Sequence, residues 1–192
     1  YGYGLKFDGL DDYVDLGGGS DLNPVDNIIC VEIWFTPQKA LSGYQYLTHK
    51  RGPGQQSYLL QLAANQINFA VVTGGELKYS GSYACAVGNL YYAVGMYDDP
   101  YVRLYVNTEE RSENRGSFTI DTNNFGVQLG RYAGLNLNWF GGIIHQVKIS
   151  KRIPTAAQIA ANWNGGTGRQ FKLDEDTLGL WHINEGSGTT IY

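Results

Sequence analysis

The densest group of metal-binding side chains in this sequence is Asp8, Asp11, Asp12 and Asp15, four carboxylates within eight positions near the start of the chain. A hard cation such as calcium takes clustered oxygen ligands from loops at strand ends. Asp8 and Asp12 are the better candidates of the four. The same residue type also shapes turns, by bonding its own backbone two residues on. There is no EF-hand spacing. Glycoside hydrolysis needs two carboxyl groups facing one another across the scissile bond, and the remaining acidic residues do not suggest such a pair. Glu32 stands alone with Trp34 two residues on, while Glu109-Glu110 and Asp174-Glu175-Asp176 fall in polar connections. His49, His145 and His182 have no evident Ser or Cys partner, and each reads as an interstrand or surface residue. The chain is therefore expected to be no enzyme.

Binding chemistry is better represented. Exposed aromatic rings beside amides can hold sugar faces. The stretch Arg131-Tyr-Ala-Gly-Leu-Asn-Leu-Asn-Trp139 supplies Tyr132, Asn136, Asn138 and Trp139, and Tyr44 and Tyr46 border a second candidate surface. The alternative for each ring is burial in the core or a contact between subunits. Two cysteines, Cys30 and Cys85, lie in strand-like sequence. A disulfide between them would close a loop of about 55 residues and stabilise by roughly 4 kcal/mol; two buried free thiols are the other reading. No CxxC is present to suggest structural zinc.

These residues need a scaffold, and the composition describes one. Across 192 residues there are 15 Tyr, 26 Gly and only 17% charged residues, with a net charge of -4. That suits a turn-rich β protein of one large domain. The basic pairs Lys50-Arg51 and Lys151-Arg152 are isolated and read as solvated, so no nucleic-acid footprint is expected. No apolar run approaches the ~20 residues of a membrane span. The chain opens on Tyr1, which is expected of a processed chain or of one cut from a longer protein.

Strand signals dominate. Leu5–Phe7 and Tyr13–Leu16 flank the polar turn at Asp8-Gly9. Ile28–Thr36, Tyr44–His49, Tyr58–Ala63 and Gln66–Val72 are β-branched and aromatic runs separated by Gly-rich or polar breaks. Glu76–Ser80, Tyr83–Val87, Tyr91–Tyr97, Tyr101–Val106, Ser117–Ile120, Gly126–Gly130 and Ile143–Ser150 follow. Strands at this spacing predict a sandwich or barrel. One helix stands out: Thr155-Ala-Ala-Gln158 has the capping-box form, Ile159 and Trp163 share a face, and Asn164-Gly165-Gly166 ends it. Residues 164–177 read as a connector into a terminal strand-like segment, 178–192, carrying Leu178, Leu180, Trp181 and Ile183.

Leu5-Lys-Phe-Asp-Gly-Leu-Asp-Asp-Tyr-Val-Asp-Leu16 resembles the opening motif of LamG-like jelly rolls in the concanavalin A-like lectin/glucanase superfamily. Val31-Glu-Ile-Trp-Phe-Thr-Pro37, Tyr91–Asp98, Arg103–Asn107, Leu129-Gly-Arg131 and Phe140–Ile149 are similar to successive strands of that family, and the resemblance spans nearly the whole chain in order. It implies an all-β, antiparallel, two-sheet jelly-roll sandwich with one short helix near the C-terminus. The sandwich would be a single domain over 1–192. The Glu-x-Asp-x-x-Glu strand of the family's glucanases has no counterpart here. The family often holds calcium, but His145-Gln146 stands where many relatives have an Asp-Glu pair, which weakens that expectation. Gly179–Thr190 looks like the strand that normally opens such a domain. It would fill the edge of its own sandwich, fill that of a neighbour in a head-to-tail filament, or begin a second tandem domain. The function implied is a non-catalytic module on a cell, virion or other extracellular surface. It would bind a glycan, a surface protein or copies of itself, in adhesion or structural assembly.

Overall fold

The computed structural model describes residues 4–40 and 42–183. Fourteen strands and one α-helix follow in order: β1 Leu5–Asp8, β2 Val14–Asp15, β3 Ile29–Pro37, β4 Tyr44–Gly52, β5 Gln55–Ala63, β6 Gln66–Thr73, β7 Glu76–Tyr79, β8 Tyr83–Ala84, β9 Tyr91–Asp98, β10 Tyr101–Val106, β11 Glu109–Asn114, β12 Val127–Leu129, β13 Gly141–Ser150, α1 Ala156–Trp163 and β14 Thr177–Trp181. They form two antiparallel sheets. Sheet A runs β1-β13-β3-β9-β10-β11 with β14 also on β13, and sheet B runs β2-β12-β4-β5-β6-β7 with β8 on β6. The expected two-sheet sandwich is thus observed.

Alternation along each strand builds the core. Val31, Ile33, Phe35, Ala93, Tyr97, Leu104 and Val147 from sheet A meet Leu47, Tyr58, Leu60, Leu62, Phe69, Val71 and Leu129 from sheet B, all buried. Gly95 is needed at the centre of β9, because a Cβ there would lie 2.2 Å from the Phe69 ring. The other face of sheet A is covered too. Cys30, Trp34, Tyr92, Val94 and Met96 are buried against Ile159 of α1 and Phe171 of the following connector. That double coverage explains why β3 is apolar almost throughout rather than alternating.

The capping box is present: Gln158 N–H donates to Thr155 Oγ1 at 3.2 Å, and Thr155 N–H donates back to Gln158 Oε1 at 2.9 Å. Trp163 stacks on Trp34 at 5.5 Å, and Trp34 stacks in turn on Tyr92 at 4.9 Å. After the helix, the Gln146 side chain on β13 holds the connector. Its amide donates to Arg169 O at 2.8 Å and accepts from Phe171 N–H at 3.0 Å.

Several sequence expectations need correction. Cys30 and Cys85 are both free thiols. Cys30 faces α1 on the outside of sheet A, whereas Cys85 packs in the core between the sheets, so a disulfide is precluded by the side of the sheet each occupies. Ser117–Ile120 is not a strand. The Asn27 side chain satisfies its backbone instead, donating to Phe118 O at 2.7 Å and accepting from Ile120 N–H at 2.8 Å. Glu109-Glu110, which read as part of a polar connection, opens the edge strand β11. Charged residues suit an edge, where they discourage pairing with another chain. Lys50 is buried rather than solvated, its ammonium donating to Gly19 O at 2.5 Å and Phe125 O at 2.6 Å.

The terminal strand pairs within its own chain. Thr177–Trp181 lies against Val147–Ser150 of β13, while β1 occupies Gly141–Ile144 on the same flank of that strand. The two short strands share one edge, end to end. Leu178 and Trp181 pack against the core between the sheets, Leu180 packs against the α1 side, and Ile183 is buried in the core. The rest of the expected segment, 184–192, lies outside the described residues.

Candidate functional site

The solvent face of sheet B gathers aromatic and amide side chains. Tyr46 on β4 lies opposite Gln61 on β5, which lies opposite Asn68 on β6. The neighbouring row is His49, Leu59, Ala70 and Tyr79. Strict alternation would send His49 to the opposite face from Tyr46. A bulge between Tyr46 and Thr48 shifts the register by one, so both rings point outward. They stack at 4.9 Å with an interplanar angle of 11°. Tyr46, Leu59 and Ala70 form an apolar floor with Leu77, Tyr79 and Tyr132 packed on it. Gln61 donates to Asn68 Oδ1 at 2.8 Å, and the buried Gln61 Oε1 accepts from no group among the described residues.

The loop between β12 and β13 folds onto this face and is tied to it by backbone groups. Tyr46 N–H donates to Asn138 O at 3.3 Å, Arg51 Nη1 to Ala133 O at 3.1 Å, and Ala133 N–H to His49 Nδ1 at 3.4 Å. Tyr132 is thereby set edge-on to Tyr46 at 5.0 Å and to His49 at 4.9 Å, with the Arg51 guanidinium 4.4 Å from its ring centre. Burial raises the Tyr46 phenol well above its ordinary pKa, and the nearby phenols of Tyr79, Tyr132 and Tyr44 add to that. Four tyrosines therefore share one neighbourhood. Tyr44 is its open member, at 54% exposure.

His49 is the keystone of the loop attachment. Nδ1 accepts from Ala133 N–H while Nε2 lies 3.2 Å from Gln56 Oε1, an arrangement that fits the neutral ring with its proton on Nε2. Desolvation drives its pKa down to about 3, with the Arg51 charge adding to the effect and the bond to Gln56 opposing it.

The two surfaces proposed from sequence divide differently in space. Tyr132 and the Asn138 backbone join Tyr44 and Tyr46 on one face. Trp139 and Asn136 instead belong with Arg131 and Tyr13. Arg131 lies 3.4 Å from the Tyr13 ring centre and 5.6 Å from that of Trp139, and donates to Asn136 Oδ1 at 3.1 Å. His49, Arg51, Gln61, Asn68 and Tyr79 were not anticipated. Gln61 and Asn68 carried a signal in their alternation with core Leu60, Leu62, Ile67 and Phe69.

At another corner of the sandwich, carboxylate oxygens of Asp8, Asp11 and Asp12 lie within 4.8 Å of one another. Asp15 is elsewhere, accepting from Gly17 N–H at 2.9 Å and Gln128 Nε2 at 3.1 Å. Asp8 Oδ1 accepts from Leu10 N–H at 2.8 Å and Asp11 N–H at 3.4 Å, and Asp12 Oδ2 accepts from Asp8 N–H at 2.8 Å. The bond from Leu10 N–H is the main cause of a lowered Asp8 pKa. These bonds shape the turn that carries the chain from sheet A to sheet B. The donor set of three carboxylates fits a hard cation.

The two antiparallel sheets form a sandwich whose sheet B carries this aromatic face. The chain belongs to the concanavalin A-like lectin/glucanases superfamily, whose laminin G model matches residues 7–160. Solved structures agree on the fold. The CBM40 of the Ruminococcus gnavus IT-sialidase, in its α2,3-sialyllactose complex, is 14% identical with a TM-score of 0.66, covering 83% of this chain and 95% of that one. A heptameric SAP-like pentraxin from Limulus polyphemus is 10% identical with a TM-score of 0.67, covering 95% and 91%. Domains LG4–5 of the mouse laminin α1 chain are 15% identical with a TM-score of 0.62, covering 78% of this chain and 41% of that one. No curated protein matches the sequence.

Proposed function

We propose that this chain is a non-catalytic carbohydrate-binding module, working on an extracellular, cell or virion surface, and that the outer face of sheet B is its glycan platform. The observation that carries this reading is the grouping of Tyr44, Tyr46, Tyr79 and Tyr132 around the Gln61–Asn68 amide pair. Rings present apolar faces to sugar C–H groups, and the half-buried Asn68 amide, held by the buried Gln61, offers its N–H donors to hydroxyls. The resemblance in fold to a sialyllactose-binding CBM40 supports the class of ligand without specifying it. A printed glycan array probed with the protein should give reproducible positives. Tyr44→Ala and Tyr132→Ala should each weaken the best of these at least about tenfold, as expected for an aromatic anchor. Silence across the array, or binding untouched by both substitutions, would count against the platform.

The three-carboxylate turn is proposed as a calcium site that braces the corner between the sheets. A ligand that binds only the folded state raises stability. Added calcium should therefore raise the melting temperature, EDTA should reverse the rise, and Asp12→Asn should remove the response. An unchanged melting temperature throughout would dispose of the site.

A further inference from the structure

The rows of the tyrosine platform are Tyr44–Ala63–Gln66, Tyr46–Gln61–Asn68, His49–Leu59–Ala70–Tyr79 and Arg51–Gln56. None of these residues is acidic, nor is any in the covering stretch 131–139. His49 is neutral, and burial holds the phenols of Tyr46 and Tyr79 in their uncharged form by raising their pKa. The formal charge of these rows is therefore the Arg51 guanidinium. We infer that the platform takes an acidic glycan, and that Arg51 receives the carboxylate or sulfate group of the sugar that the tyrosines hold. This rests on the outer face of sheet B being the glycan face.

Arg51 is half-buried near the end of β4. Arg103, Arg111 and Lys148 each pair with a carboxylate, whereas Arg51 pairs with none among the described residues. Its Nη1 donates to Ala133 O at 3.1 Å, and its guanidinium stands 4.4 Å from the Tyr132 ring centre. Those two contacts fix the fork beside the rings without neutralising it. Nε is buried and has no acceptor among the described residues, and Nη2 donates to none of them. Gly134 keeps the approach open. It is exposed, and a Cβ there would lie 3.6 Å from Arg51 Nη1. A half-buried cation with spare donors and no counter-charge is costly to the free protein, and an incoming anion removes that cost.

Hydrogen bonds from a guanidinium to a carboxylate or sulfate are roughly twice as strong as neutral ones. The ring of Tyr132 holds the guanidinium in place from one side, which limits the ordering that binding must supply. A neutral sugar would use the tyrosines and the Asn68 amide but leave Arg51 without a partner. A bare anion would meet Arg51 but leave the rings unused. A sugar bearing an anionic group engages both.

The test uses the full chain on a printed array in which carboxylated and sulfated glycans stand beside their neutral counterparts. The best binders should be acidic, and each should lose at least about tenfold in affinity when its anionic group is removed by carboxyl reduction or desulfation. That margin should shrink as sodium chloride is raised from about 50 to about 500 mM. Both readings are made on the unaltered chain, so they decide the matter even if a substitution loosens the loop at Ala133. Arg51→Gln should erase the margin and Arg51→Lys should keep part of it, while Tyr44→Ala should weaken acidic and neutral forms by the same factor. The two kinds of acid are scored separately, and a margin for either supports the inference. Equal binding of acidic and neutral forms, or a margin that survives Arg51→Gln, would overturn it while leaving the platform standing. Silence across the array would remove the platform and this inference together.

Discussion

Trp34→Ala is expected to cost about 4 kcal/mol of folding stability, the usual scale for emptying a large aromatic position in a packed interior. Trp34 is fully buried on the outer side of sheet A and sits between two other rings, Tyr92 at 4.9 Å and Trp163 at 5.5 Å, both nearly parallel to it. Its removal both opens a void and unseats α1, whose Trp163 would lose its stacking partner. Urea unfolding of the two proteins measures the loss. The native-state tryptophan emission, to which Trp139, Trp163 and Trp181 contribute, should move to longer wavelength as the Trp163 ring gains water. Trp34→Phe, which keeps a ring in the stack, should lose clearly less. A loss below about 1 kcal/mol for the alanine variant would mean that the helix is not anchored through this stack.

The second large effect is a dependence on acid. Folded His49 stays neutral down to about pH 3, whereas an unfolded histidine takes up a proton near pH 6.5. Because the folded-state pKa is the lower, the unfolded state binds more protons throughout the interval between them. Stability is complete above the unfolded pKa and is lost as the pH falls from there toward 3, at up to about 1.4 kcal/mol per unit. Between pH 7 and pH 5 the loss should be about 2 kcal/mol. His49→Gln keeps hydrogen-bonding capacity but removes the titration, so its stability should change less over that interval, even if it starts lower. Parallel slopes for the two proteins would contradict the neutral, buried ring. The consequence reaches the platform, because a proton on Nδ1 would face the Ala133 N–H that it now accepts from. The loop carrying Tyr132 would lose an attachment.

Most of the architecture could be read from the chain because most strands alternate against one core. Tyr91–Asp98 and Tyr101–Val106 were bounded within a residue, and the helix was marked by its capping box. The misreadings have specific physical origins. Glu109–Asn114 lacks apolar residues because it is an edge strand, held by pairs such as Arg103–Glu110 rather than by burial. Ser117–Ile120 looks like a strand but is satisfied by the Asn27 amide. Tyr132 and Tyr46 were visible as aromatic candidates. Their meeting with His49 depends on a one-residue bulge that no periodicity reveals. Tyr79 joins them only through the pairing of β6 with β7. The wish of the terminal segment for an edge was legible in its β-prone run. Which edge depended on how much of β13 was left uncovered by β1.

The claim that the tyrosine face of sheet B receives glycan is tested most directly by chemical-shift mapping. The labelled chain would be titrated with the oligosaccharide that gives the strongest array signal. The account predicts shifts concentrated at Tyr44, Tyr46, Gln61, Asn68, Tyr79 and Tyr132, saturating together. Shifts that saturate elsewhere on the molecule while these six stay still would contradict it.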